Sequence, residues 1–135
     1  MQVAVLELAD DSVLLAAPLA PNVNHRGTVF GGSACTLAIL AAWSLLYCRL
    51  EQRIPATSLV LQRNSMSYDR PIAGPFSAHA ALPPQAPWPL FLRTLERRGK
   101  ARISVSARLM CAEQEAGRFV GEFVALAAAS GGRHA

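Results

Sequence analysis

Asn24, Gly27, Thr28, Gly31, Gly32 and Ser33 fall within ten residues, directly before an apolar run from Ala34 to Cys48. This pattern has a chemical use. Ser33 reads as the N-cap of a helix that follows Gly31-Gly32 and runs to about Gln52. The first turn of a helix carries unpaired N–H groups and the positive end of the dipole. Glycines let a ligand come close to that backbone. Such a site polarises a carbonyl and stabilises an oxyanion. Asn24, seven residues before Gly31, cannot act as a base but can position a water. The glycine pair would serve equally well to let a helix and a strand pack tightly.

A hydrolytic reaction also needs a base. The nine acids are Glu7, Asp10, Asp11, Glu51, Asp69, Glu96, Glu113, Glu115 and Glu122, so none lies between Ser12 and Leu50. The remaining candidates are Asp69, His25, or a water held by Asn24 with Ser33 and Asn64. Tyr68 adds a hydroxyl beside Asp69. Cys35 reads as a small buried apolar residue. Three cysteines without C-x-x-C spacing and no His/Cys cluster point to reduced thiols in the cytoplasm and to no metal. Nothing in the sequence calls for a cofactor.

Arg93, Arg97, Arg98, Lys100, Arg102 and Arg108 occupy one 16-residue window with a single acid, Glu96. Arg97, Arg98, Lys100 and Arg102 are the densest part and suit the phosphates of a ligand. Nucleic acid is not expected, because no aromatic residues interleave with these cations as stacking platforms. The apolar run from Ala34 to Cys48 is 15 residues, short of the ~20 that a membrane span needs.

A chain of 135 residues suits one domain, 1–135. Ser12–Pro21, Thr57–Ile72, Pro75–Leu82, Ala101–Glu113 and Gly117–Ala129 read as strands, the last two joined through "EQEAG". A short helix is expected near Leu90–Arg98, and the tail 130–135 is expected to fray. The long helix is apolar on every face and must therefore be enclosed on all sides. An α+β fold results, an antiparallel sheet of five or six strands curled around one long helix. The 52% apolar composition and the open sheet edges call for at least a homodimer.

The order N-x-x-G-T-x-x-G-G, a central helix with "AAWSLL", "YDRPI" and "FLRTLERRGKARISVSARL" resembles the hotdog-fold thioesterase superfamily. Within it, the chain is similar to a bacterial thioesterase domain that in some species follows an acetyltransferase domain. The resemblance covers about Ser12–Leu126. It implies a homodimer or a dimer of dimers, with sites at the subunit interface. It also implies substrates that are acyl-CoA or acyl-ACP (acyl carrier protein) thioesters. The Gly31 N–H would bind the thioester carbonyl, and Asn24 would lie beside it. The chain departs from the resemblance at Ile39, where one branch of the superfamily has its helix carboxylate. That departure keeps open a non-catalytic thioester-binding module, and it counts against a third reading, a hotdog dehydratase, which needs a His with an acid at the site.

Overall fold

The computed structural model describes residues 1–82 and 87–128. The expectation of a frayed tail at 130–135 falls outside these residues. The strands are β1 (Ala4–Leu8), β2 (Ser12–Ala17), β3 (Ser58–Tyr68), β4 (Phe76–Ala81), β5 (Lys100–Cys111) and β6 (Gln114–Leu126). The helices are α1 (Gly31–Glu51) and α2 (Trp88–Arg98). All neighbouring strands pair antiparallel, in the order β1-β2-β4-β5-β6-β3.

Alternation in the sequence sets the two faces of the sheet. In β5, Ala101, Ile103, Val105, Ala107 and Leu109 are buried, while Lys100, Arg102, Ser104, Ser106 and Arg108 are exposed. The buried face packs on α1, whose Ala34, Leu37, Ala38, Ala41, Leu45 and Leu46 are almost fully enclosed. Small residues on the helix let the sheet approach closely. Phe119 and Phe123 of β6 then fill the space between helix and sheet. This wrapped arrangement is the hotdog fold.

Four expectations need correction. A first strand, β1, precedes β2; five apolar or acidic residues, all exposed, gave no alternation to read. The helix begins at Gly31 rather than after Ser33, and its N-cap is Phe30, whose side chain caps nothing. The β5–β6 turn is Ala112-Glu113, both with positive φ (51° and 63°), so Gln114–Gly117 belongs to the strand. Finally, α1 is not enclosed on all sides. Thr36, Leu40 and Tyr47 are exposed, with Ile39 and Trp43 half-buried beside them. At 21 residues and a mean hydropathy of 1.5, α1 has the length and apolarity of a membrane span. Here it serves as the core helix of a soluble-type fold.

The two sheet edges differ. β1 is short and carries a register shift between Val5 and Glu7. β3 is 11 residues long, and its outer side is unpaired among the described residues. Gly117 sets the distance between β3 and β6. A Cβ at Gly117 would lie 2.6 Å from the Ser67 carbonyl oxygen, a backbone atom that cannot step aside. Gly117→Ala should therefore destabilise the fold by about 1–3 kcal/mol. The check is a lower denaturant midpoint at an unchanged slope.

Candidate functional site

A loop pinned at both ends delivers the start of α1. Residues Val23 and Val29 form an antiparallel bridge. Between them the Asn24 Oδ1 accepts from the Arg26 and Thr28 amides (2.8 and 3.1 Å), and its Nδ2 donates to Thr28 Oγ1 at 2.9 Å. This is the side chain of an Asx turn, its oxygen occupied by its own loop. Asn24 therefore shapes the loop, and in the single chain it has no free oxygen aimed at a ligand. His25 is exposed at the loop tip. The Phe30 amide donates to the Asn22 carbonyl (2.7 Å), and the Val29 amide to the Ile72 carbonyl (2.8 Å). The second bond ties the helix mouth to the segment after β3.

Ser33 and Ala34 donate their amides to the Phe30 carbonyl. The Gly31 and Gly32 amides have no acceptor among the described residues. Beside Gly31 opens a cavity of about 370 Å³, lined by Thr28, Gly31, Tyr68, Asp69, Arg70 and Leu109 among others. Its size is within the ~300–1,000 Å³ usual for small-molecule sites. Asp69 is the one carboxylate in its wall. The Ser67 hydroxyl lies 3.4 Å from Asp69 Oδ2, which leaves the other carboxylate oxygen free among the described residues.

Tyr68 Oη donates to the Gly31 carbonyl at 3.1 Å and so fastens the last residue of β3 to the first residue of α1. Sequence reasoning placed Tyr68 near the ligand but missed this bond, which spans 37 residues. A Cβ built on Gly31 would meet the Tyr68 ring at 3.5 Å, an ordinary contact. Gly31 is thus not required by packing in the free chain, whereas a Cβ on Gly32 would lie 2.5 Å from the Phe30 ring, so the tight-packing reading holds for the second glycine only. Asn64 projects from β3 toward α1, where the Cys35 thiol lies 3.9 Å from its Oδ1. Cys35 is half-buried rather than enclosed. Burial of the ring, followed by the nearby Cys35 thiol, pushes the Tyr68 phenol above its ordinary 10.0.

Arg97, Arg98, Lys100 and Arg102 are not at this cavity. Arg97 and Arg98 end α2, and Gly99 (φ 73°) caps that helix and turns the chain into β5 at Lys100. Lys100 lies opposite Leu126, and Leu126 opposite Ser58, at the start of β3. Tyr68 lies opposite Gly117, and Gly117 opposite Leu109. The cations and the glycine pair thus occupy opposite ends of the 11-residue β3. These ends are roughly 33 Å apart at ~3.3 Å per residue. Among the described residues, no group of His, Cys, Asp and Glu side chains could hold a metal ion.

The family described as "Putative thioesterase (yiiD_Cterm)" matches residues 1–127. The chain belongs to this thioesterase family. A protein of unknown function from Chlorobaculum tepidum TLS is 30% identical, with a TM-score of 0.87 over 95% of this chain and 84% of that one. A putative thioesterase from Shewanella oneidensis is 27% identical, with a TM-score of 0.79 over 93% and 85%. A thioesterase from Haemophilus influenzae shares the fold at 12% identity and a TM-score of 0.72, over 93% and 78%. Membership of the family supports a thioesterase-type function.

The surroundings of Tyr68 can be tested by titration. The folded phenol holds its proton more tightly than the unfolded one. Its contribution to stability is therefore complete below pH 10 and is lost as the pH rises through the folded value. The ultraviolet difference between wild type and Tyr68→Phe should show a tyrosinate forming above pH 10. Cys35→Ala should move that midpoint down. A difference spectrum unaffected by Cys35→Ala would show that the thiol has no influence on Tyr68.

Proposed function

We propose that the chain hydrolyses thioesters of coenzyme A or of acyl carrier protein. The observation that carries this reading is the cavity at the mouth of α1. It brings the partnerless Gly31 amide, with that of Gly32 next along the helix, and one carboxylate to the same place. The thioester carbonyl oxygen takes the Gly31 and Gly32 N–H groups. A water attacks the carbonyl carbon as Asp69 accepts its proton. The oxyanion formed stays on the same amides, which meet the charge as it develops. Collapse breaks the C–S bond, and the leaving thiolate takes the proton back from Asp69. Tyr68, bonded to the Gly31 carbonyl, holds the first helical turn in place.

The working form in this reading is a homodimer joined through β3, in the cytoplasm, with a dimer of dimers as the larger alternative. Two features support the dimer. The long edge strand is unpaired among the described residues, and along the stripe Leu40, Trp43 and Tyr47 of α1 the outer two are exposed, with Trp43 half-buried between them. Trp43 stacks on Tyr47 (centroids 4.7 Å apart, 10° between planes) and donates its indole N–H to the Leu59 carbonyl of β3 at 3.2 Å. The stripe and the edge thus form one continuous surface.

A second reading, a thioester-binding module that does not hydrolyse, is favoured by one observation. No acid occurs on α1 before Glu51. A panel of acyl-CoAs assayed for free thiol separates the two. Hydrolysis predicts saturable thiol release, reduced at least ~10²-fold in kcat by Asp69→Asn with the fold intact by circular dichroism. Saturable binding without thiol release would favour the module. Full activity in Asp69→Asn would remove the carboxylate from the mechanism. Light scattering at micromolar concentration should give the mass of a dimer, and a monomer would overturn the shared-edge reading.

A further inference from the structure

We infer that a groove leading from the cavity at the mouth of α1, over the rim of the sheet, to Leu6 of β1 holds the alkyl chain of the acyl group. The inference deepens the thioester reading proposed above and rests on its placing the carbonyl at Gly31. Three cavities that run into one another carry it. The cavity at the helix mouth shares Arg70, Pro71 and Ala116 with a second of about 510 Å³. The second shares Pro75, Cys111 and Ala112 with a third of about 380 Å³. The groove leads away from β3, toward β4, β2 and β1, and all its walls belong to one chain.

Its lining suits an alkyl chain. Past Arg70 the second cavity is walled mainly by small or apolar residues, among them Ala73, Gly74, Pro75 and Ala112. The polar groups of that cavity stand together, where Arg70 Nη1 donates to Gln114 Oε1 at 3.4 Å. Because Phe76 pairs with Cys111, the segment before β4 and the turn after β5 lie at the same end of the sheet and form its rim. Across that rim Ala16, Ser77 and Met110 lie opposite one another on three neighbouring strands. Ala16 and Ser77 alternate with the buried Ala17 and Phe76, so this row faces away from α1. Leu6 joins the third cavity from β1, at the register shift between Val5 and Glu7. It is 57% exposed, an apolar side chain on an edge strand that buries none of its residues. Packing within the chain does not account for it, whereas an alkyl chain in the groove would cover it. Glu113 is the one charged residue in the wall of the third cavity, which favours a neutral alkyl end over a carboxylate.

Acetyl-, hexanoyl- and dodecanoyl-CoA, assayed below the concentrations at which they form micelles, test this route. The inference predicts that kcat/KM rises with chain length by about twofold per methylene until the groove is filled, half in free energy of what full burial supplies. Ala73→Trp fills the second cavity and should lower the dodecanoyl-to-acetyl ratio of kcat/KM at least tenfold. Leu6→Gln changes an exposed side chain that the fold does not need. It should lower the dodecanoyl-to-hexanoyl ratio about fivefold. An unchanged ratio in Ala73→Trp, with all three thioesters slowed alike, would overturn the inference by placing the pantetheine arm in the groove. A wild type indifferent to chain length, or a wild-type ratio in Leu6→Gln, would overturn it as well. If the wild type releases no thiol, the same proteins are titrated with thioether analogues of acetyl-CoA and dodecanoyl-CoA. Tighter binding of the dodecanoyl analogue, weakened in both variants, then supports the inference although hydrolysis has failed. Equal binding of the two analogues, or binding of neither, overturns it.

Discussion

A helix that is apolar on every face cannot be satisfied by one sheet. A six-stranded sheet curls around α1 and buries the Ala34, Leu37, Ala41 and Leu45 side, yet a stripe from Thr36 through Leu40 to Tyr47 remains outside. Much else depends on this constraint. The sheet must be concave, so the strands on the helix side carry small or aromatic residues fitted to the gap, with Gly121 between Phe119 and Phe123. The strand next to the uncovered stripe, β3, must end the sheet. Its residues at 64 and 68 then reach the helix instead of a neighbouring strand.

The position of the cavity has the same origin. Because β3 flanks the helix, its last residue can bond the first carbonyl of α1, and Asp69 follows immediately into the cavity wall. The loop of residues 22–30 contributes from the other side, through amides held by Asn22 and Ile72. The loop before α1 and the segment after β3, far apart in sequence, thus meet at the helix mouth. The helix itself supplies donors and no acid, which leaves the carboxylate to come from a strand end.

The strand and helix patterns, the order of elements and the apolar α1 were legible in the sequence, because period-two and all-round apolar patterns follow from burial. The glycine pair and Asp69 were also legible as candidates for a site, since each is a local chemical signal. Three things were not. β1 pairs along one edge only and buries none of its residues, so it left no pattern. The start of α1 at Gly31 lacks a side-chain cap to announce it, and Ser33 offered a false one. The occupation of Asn24 by its own loop, and the separation of the basic residues from the glycines, depend on turn geometry and on strand register. A one-dimensional spacing contains neither.

The β5–β6 turn has a further consequence, for how the chain reaches this structure. These two strands, of 12 and 13 residues, are joined by only two residues, so their pairing is the most local long contact in the molecule. Local contacts form early at small entropic cost. Yet the turn sets Ala112 and Glu113 in left-handed backbone geometry, which costs non-glycine residues roughly 1–2 kcal/mol each. The hairpin best placed to nucleate folding is thus closed by residues poorly suited to its turn. Selection has left reserve stability there, and an Asn-Gly turn would recover part of it.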